Sequence, residues 1–452
     1  MRNCWLAFIG LLVATPLAAA EWTVGLGRAV ITPREPVWLS GYGARNRPAE
    51  GKIHDLWAKA VAFADRDGVQ LVIVACDLGS MYQELRDAVA KEAAQQFGIP
   101  AEAVLINVSH THCAPEIAKE RPVFHNLTAA EEAKLAKYIA DELQPALVRA
   151  IGAAVADRQP AVLRFSQSSA EFARNRRLPT DQGFVNQPND AGVTDHDVPV
   201  LQILTPEGKL RGLLFGYACH NTTLAFYQFC GDYAGFAQEY VEAAHPGVTA
   251  AFLMGCGGDQ NPYPRHGERG LEYCRQHGRE LADGVERALA ADAVELHAPL
   301  TVARETVTLE LEPLPPREQL ERDAAAGSDY PQRKAKHLLA RLEREGTIPL
   351  TQTCPLLAAQ FGEELLFVGI SGETVVDYSR LCKAEFAGRA VWVTGYNDDV
   401  FAYLPSQRVL LEGGYEGRTG IVHQLVPTPF LPSVEDRVMG GLRRLVNQMR
   451  GR

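Results

Sequence analysis

The run Val104-Leu105-Ile106-Asn107-Val108-Ser109-His110-Thr111-His112-Cys113-Ala114-Pro115 constrains this chain more than any other stretch. An apolar, β-branched run that ends in His-Thr-His and then proline predicts a buried strand that reaches the surface and breaks. Side chains at i and i+2 of a strand share a face. His110 and His112 are therefore expected side by side at the strand's carboxyl end. Ligands of open α/β sheets bind at such ends, and imidazole is both the commonest metal ligand and the commonest general base. On this motif alone, two unrelated surface histidines remain an equal reading.

The flanking chain predicts an α/β body with a mixed β-sheet core and flanking helices. Residues 22–31 alternate like a first strand, and 57–76 read as a hairpin about Asp65-Arg66-Asp67-Gly68. A helix over about 81–97 then leads into the His110 strand. This strand–helix–strand order predicts a parallel pair. Residues 128–156 read as helix interrupted by Pro145, 161–180 as strand then loop, and 181–198 as surface loop. A hairpin is expected at 199–219, and helices at roughly 232–244 and 267–291. A strand follows at 299–312, charged helix at 315–345, strands at 353–370 and 390–394, and a last helix near 433–449. No repeat, low-complexity tract or linker divides residues 21–452, so a single domain is the simplest expectation.

Residues 1–20 read as a signal peptide: Arg2 is the charged start, Trp5 to Val13 the apolar stretch, and Ala18-Ala19-Ala20 the cleavage site. Export to periplasm or medium follows as an expectation. The apolar stretch is too short to span a bilayer. The formal charge of −10 is spread along the chain with no basic block, which argues against a nucleic-acid partner. The eight cysteines beyond the leader show no zinc-knuckle or Cys-x-x-Cys spacing. Cys113 reads as a small buried hydrophobe.

Further polar groups stand at the ends of apolar runs. His220 follows Leu213–Cys219. Asp232 opens a helix and reads as a plain N-cap. Residues 251–262 run from strand into Gly255-Cys256-Gly257-Gly258-Asp259-Gln260-Asn261, a loop that equally lets backbone N–H groups approach a ligand or is a tight turn, with a second divalent cation at 255–259 left open. Glu373 and Tyr403 follow two more strands. The Asp-His continuation of a metallo-β-lactamase motif is absent after His112, so any further ligands of His110 lie later in the chain.

In this order the segments resemble the neutral/alkaline non-lysosomal ceramidase family. The resemblance rests on His110-Thr111-His112, His220 within Cys-His-Asn-Thr-Thr, Asp232-x-x-Gly235-x-Ala237, Gly258-Asp259, Gly372-Glu373, Gly395-Tyr396 through Tyr403, and Tyr415-Glu416-Gly417. It implies the ceramidase-type catalytic fold and one zinc ion per chain, held by His110, His220, Glu373 and Tyr403. It implies hydrolysis of an N-acyl amide, as family members cleave ceramide to fatty acid and sphingosine. In that scheme zinc lowers the pKa of a bound water and polarises a carbonyl. His112 would serve as acid/base or steady the oxyanion, and Tyr415 and Arg176 would contact the oxyanion or carbonyl.

Two departures stand out. The family's Gly-Asp-x-Ser-Pro motif reads Gly258-Asp259-Gln260-Asn261-Pro262 here. Asn261 can donate and accept hydrogen bonds but cannot be a nucleophile, so a serine-dependent mechanism is excluded and a zinc-water mechanism survives. The chain also stops soon after the catalytic region, so the family's C-terminal immunoglobulin-like domain is expected to be absent. The leading expectation is an exported zinc-dependent amide or ester hydrolase. Its partner is a small amphipathic amide or ester, with peripheral membrane or micelle contact compatible and no protein partner implied. The alternative is a non-catalytic lipid- or glycan-binding protein that keeps the fold.

Overall fold

A computed structural model describes residues 20–119, 121–326 and 329–450. The leader reading therefore lies outside the described residues apart from Ala20. Two sheets dominate. The larger has nine strands, ordered 249–254, 210–217, 197–204, 159–169, 22–30, 57–65, 70–76 and 104–108, with 294–296 added beside 159–169. The smaller has four, ordered 300–310, 351–361, 365–370 and 390–394. The α/β expectation with a mixed sheet core therefore holds: 70–76 and 104–108 run parallel, as do 210–217 and 249–254, among antiparallel neighbours.

Strand periodicity explains how the layers stack. Leu71, Ile73 and Leu105 of the large sheet share one apolar cluster with Leu357, Phe361, Phe367 and Trp392 of the small sheet. The two sheets thus pack face to face. The alternate residues Val72, Val74, Val104, Ile106 and Val108 point the other way, into a cluster with Leu85 and Val89 of helix Gln83–Phe97 and Leu147 and Ile151 of helix Gln144–Ala156. The outer face of the small sheet, including Leu356, Val368 and Ile370, packs on Val438, Leu442 and Leu445 of helix Val434–Arg450. Strands buried on both faces read as continuous apolar runs, which is why 57–76 and 104–108 were legible.

The edge strands of the large sheet are drawn together by one side chain. Asn107 Oδ1 accepts from Met254 N–H at 2.8 Å, while its Nδ2 donates to Gly395 O at 2.8 Å and to Asn397 Oδ1 at 3.0 Å. A fully buried amide with its bonds made is rigid. It pins the ends of strands 104–108 and 249–254 to the turn after strand 390–394, and the site lies at these ends.

Three expectations change. Pro145 does not interrupt its helix: a π-turn over Ile139–Leu143 joins Ala129–Tyr138 to Gln144–Ala156 and takes up the missing N–H. Residues 181–198 are not all loop, since Gly183–Asn189 pairs with Ala173–Thr180 in a ribbon. Five of its seven residues are exposed, so it has no buried apolar face to betray a strand. The charged helix is two, Arg317–Ala326 and Asp329–Glu345.

Candidate active site

His110 lies two residues past its strand, at φ +62°, not on the strand itself. This left-handed turn, and not strand alternation, brings His110 and His112 together, with their Nε2 atoms 3.2 Å apart. His110 Nδ1 is 2.6 Å from Gly79 O, and His220 Nδ1 is 2.7 Å from Gly257 O. A carbonyl oxygen only accepts, so each Nδ1 carries the proton and each Nε2 presents a lone pair. Those two Nε2 atoms lie 3.2 and 3.4 Å from Glu373 Oε2.

His110, His220 and Glu373 are buried, and their ligand atoms all lie within 4.8 Å of one another. Glu373 Oε2 is buried with no hydrogen-bond donor. Two imidazole lone pairs and a donorless carboxylate oxygen converge on one point, and a cation there satisfies all three. The group can therefore hold a metal ion. Burial raises the Glu373 carboxyl, and positive charge at the His110 and His220 positions draws it well below the usual carboxylate range. Burial, then the Arg176 guanidinium, pushes His220 down to about 3. Burial, then His110 and His220, holds His112 well below the usual imidazole range, so its ring is neutral.

His110 and Glu373 of the trio line a pocket with a cavity volume of about 90 Å³, open to solvent, and His220 does not line it. His112, Tyr403 and Tyr415 also line it. The Tyr403 hydroxyl is 3.5 Å from His220 Nε2 and accepts from Arg176 Nη2 at 3.0 Å. His112 is seated on Gly41, whose φ is +89° and where a Cβ would fall 2.1 Å from the imidazole Cγ. Only glycine fits both demands.

Arg176 and Asn261 stand behind Tyr403, away from the pocket wall. Arg176 donates from Nε to Glu416 Oε1 at 2.7 Å and from Nη1 to Asn261 Oδ1 at 3.2 Å. Asn261 is fully buried, pairs opposite Arg174 in a short strand, and leaves its Nδ2 without a partner. It is therefore a brace for Arg176.

Asp232 is not an N-cap. It sits at φ +54° inside the first turn, and its carboxylate accepts from the N–H groups of Thr223, Leu224 and Tyr233, fixing the loop after His220. Asp259 is committed too: Oδ1 accepts from Val376 N–H at 2.8 Å and Oδ2 from Asn175 Nδ2 at 3.4 Å. Gly258 packs on the backbone of Glu373 and Thr374, so the glycine-rich loop serves close packing, and no second metal group occurs there among the described residues. Cys113 is fully buried outside the pocket. Sequence reasoning missed Glu416, which bonds both Arg176 and Arg177 at 2.7 Å.

Fold and site together define a mixed α/β protein with a buried His/His/Glu cluster suited to a metal ion. Residues 22–266, more than half of the chain, match the neutral/alkaline non-lysosomal ceramidase family, N-terminal region, and the chain belongs to that family. It is 32% identical over 117 residues to neutral ceramidase of Drosophila pseudoobscura pseudoobscura, and 31% identical over 117 residues to that of Drosophila melanogaster. Each match spans 25% of this chain and 17% of the relative's length. Its fold is that of the crystal structure of neutral ceramidase from Pseudomonas aeruginosa, with a TM-score of 0.70 at 20% identity over 92% of this chain and 72% of that one. A ceramidase complexed with C2 gives a TM-score of 0.70 at 19% identity over 94% of this chain and 76% of that one.

Proposed function

We propose that the protein is an exported zinc-dependent hydrolase of an N-acyl amide, ceramidase-like in its chemistry. One observation carries the proposal: His110 Nε2, His220 Nε2 and Glu373 Oε2 converge on one point beside an open pocket that His110 and Glu373 line, and Glu373 Oε2 has no hydrogen-bond donor. Nitrogen and oxygen donors with room beside them suit a catalytic zinc, and Tyr403 is the fourth ligand we assign. A zinc ion there supplies Lewis acidity to the substrate carbonyl and lowers the pKa of water. The leader-like residues 1–20 support export.

The chain's own residues do the rest. His112 is neutral, lines the pocket and lies beside the trio, so its imidazole is placed to take a proton from the attacking water and return it to the leaving nitrogen. The Tyr415 phenol, pushed up to about 12 chiefly by burial, stays protonated and offers a donor to the developing oxyanion. Arg176 acts through Tyr403, whose hydroxyl it holds. Asn261 fixes Arg176 and carries no nucleophile.

The test is turnover of fluorogenic N-acyl amides and esters, a ceramide analogue included, by zinc-replete protein. Hydrolysis that a chelator abolishes and zinc restores is expected. Absence of turnover on every substrate tried would remove the proposal.

A further inference from the structure

A packed group of rings closes one side of the pocket. Phe124, Tyr415 and His423 line it, and Tyr330, from helix Asp329–Glu345, lies behind them. The His423 ring is 4.3 Å from Tyr330, 5.8 Å from Phe124 and 5.9 Å from Tyr415, centroid to centroid. Tyr415 is in turn 5.3 Å from Tyr403, so aromatic contact runs unbroken from the metal site to Tyr330.

Tyr330 is held from two sides. Its hydroxyl fits against Gly43, where an added Cβ would fall 1.6 Å from the oxygen. The Arg333 guanidinium lies 4.8 Å over its ring and donates to Val123 O at 2.7 Å and Phe124 O at 3.3 Å. These bonds tie the helix to the turn that carries Phe124. The rest of the pocket wall is more polar, with Ser40, Ser80 and Glu116. Glu116 is buried and holds His125 Nε2 at 3.2 Å.

We propose that Phe124, His423 and Tyr330 form the end wall of the acyl half of the pocket, with Tyr330 as its stopper, so that the protein selects short N-acyl chains. The inference rests on the hydrolase reading above. An acyl chain leaves water for the apolar, aromatic side of the pocket. Each methylene that fits such a side is worth roughly tenfold or more in kcat/KM, and a chain that reaches the rings must instead displace close-packed aromatics. Tyr330 is only half buried, so removing its ring opens the end wall to solvent.

The experiment is kcat/KM across N-acyl amides from acetyl to palmitoyl. Wild type should peak at a short chain and fall by about tenfold or more for chains that meet the rings. Tyr330→Ala should move the peak to longer chains, read as a rise in the ratio of long-chain to acetyl kcat/KM. Gly43→Ala should do the same from outside, by expelling the ring, and its backbone has no left-handed φ to strain. Tyr330→Phe keeps the ring and should keep the wild-type profile. Palmitoyl as the best wild-type substrate, or an unchanged profile in both Tyr330→Ala and Gly43→Ala, overturns the inference. If wild type hydrolyses nothing, the hydrolase reading fails instead. Displacement of a fluorescent fatty acid by free fatty acids of the same lengths then reads the end wall without turnover: the same shift supports it, and none overturns it.

Discussion

Glu416→Gln should be among the most damaging single substitutions behind the site. The carboxylate is 4% exposed and grips two guanidinium groups, Arg176 through Oε1 and Arg177 through Oε2, each at 2.7 Å. At an effective dielectric of about 20, charges about 4 Å apart attract by roughly 4 kcal/mol. The two pairs are therefore worth about 8 kcal/mol before the several kcal/mol needed to strip water from each ion. Arg177 keeps Glu412 at 3.1 Å, but the other side chains that Arg176 bonds, Asn261 and Tyr403, are neutral. Removing one partner of a buried pair costs about 3–5 kcal/mol because the other charge stays behind, and we expect that range here. Urea denaturation reads it as a lower midpoint at unchanged slope. Glu412→Gln, on a half-buried acid, is the control and should cost under about 1 kcal/mol. A loss below about 1 kcal/mol for Glu416→Gln would refute the reasoning.

Gly41→Ala should lower kcat strongly while metal content stays at the wild-type level, because the new Cβ meets the His112 ring and not the ligand trio. Full activity in that variant would remove His112 from proton transfer. Asn261→Ser should confer no serine-type reactivity and should cost about 1.5–3 kcal/mol, since Arg176 loses a buried acceptor; labelling of the new serine by a fluorophosphonate would contradict this. Burial pushes Asp399 up to about 7 from an ordinary 3.8. Its folded state thus favours the neutral acid, and the stability this group contributes is full below about pH 4 and lost as pH rises through 7. Asp399→Asn should match wild type near pH 4 and exceed it by about 1–3 kcal/mol at pH 8; equal difference at both pH values would sink the claim.

How much was legible follows from which interactions have a period. Strands 57–65, 70–76 and 104–108 are buried on both faces and announce themselves as apolar runs. His110, His220 and Glu373 were nameable because each follows such a run, and their convergence became visible only with the fold. The ribbon 183–189 faces solvent and carries no such pattern. Asp232 looked like a cap because an acid before a helix usually is one. Two of its three bonds reach back to Thr223 and Leu224, across the turn that precedes the helix, and the third stays on its neighbour Tyr233. Glu416 and Asn107 are tertiary braces, joined to partners 240 and 147 residues away. No local window contains both ends of such a bond. The aromatic end wall likewise joins residues 124, 330 and 423, three separate segments.

The central claim is that the three donor atoms hold a catalytic metal. Elemental analysis of zinc-replete wild type, His110→Ala and Glu373→Ala tests it directly. The account predicts one zinc per chain in wild type, and its loss in both variants together with amide hydrolysis. Wild type without stoichiometric metal, or a His110→Ala protein that binds zinc as wild type does, would contradict it.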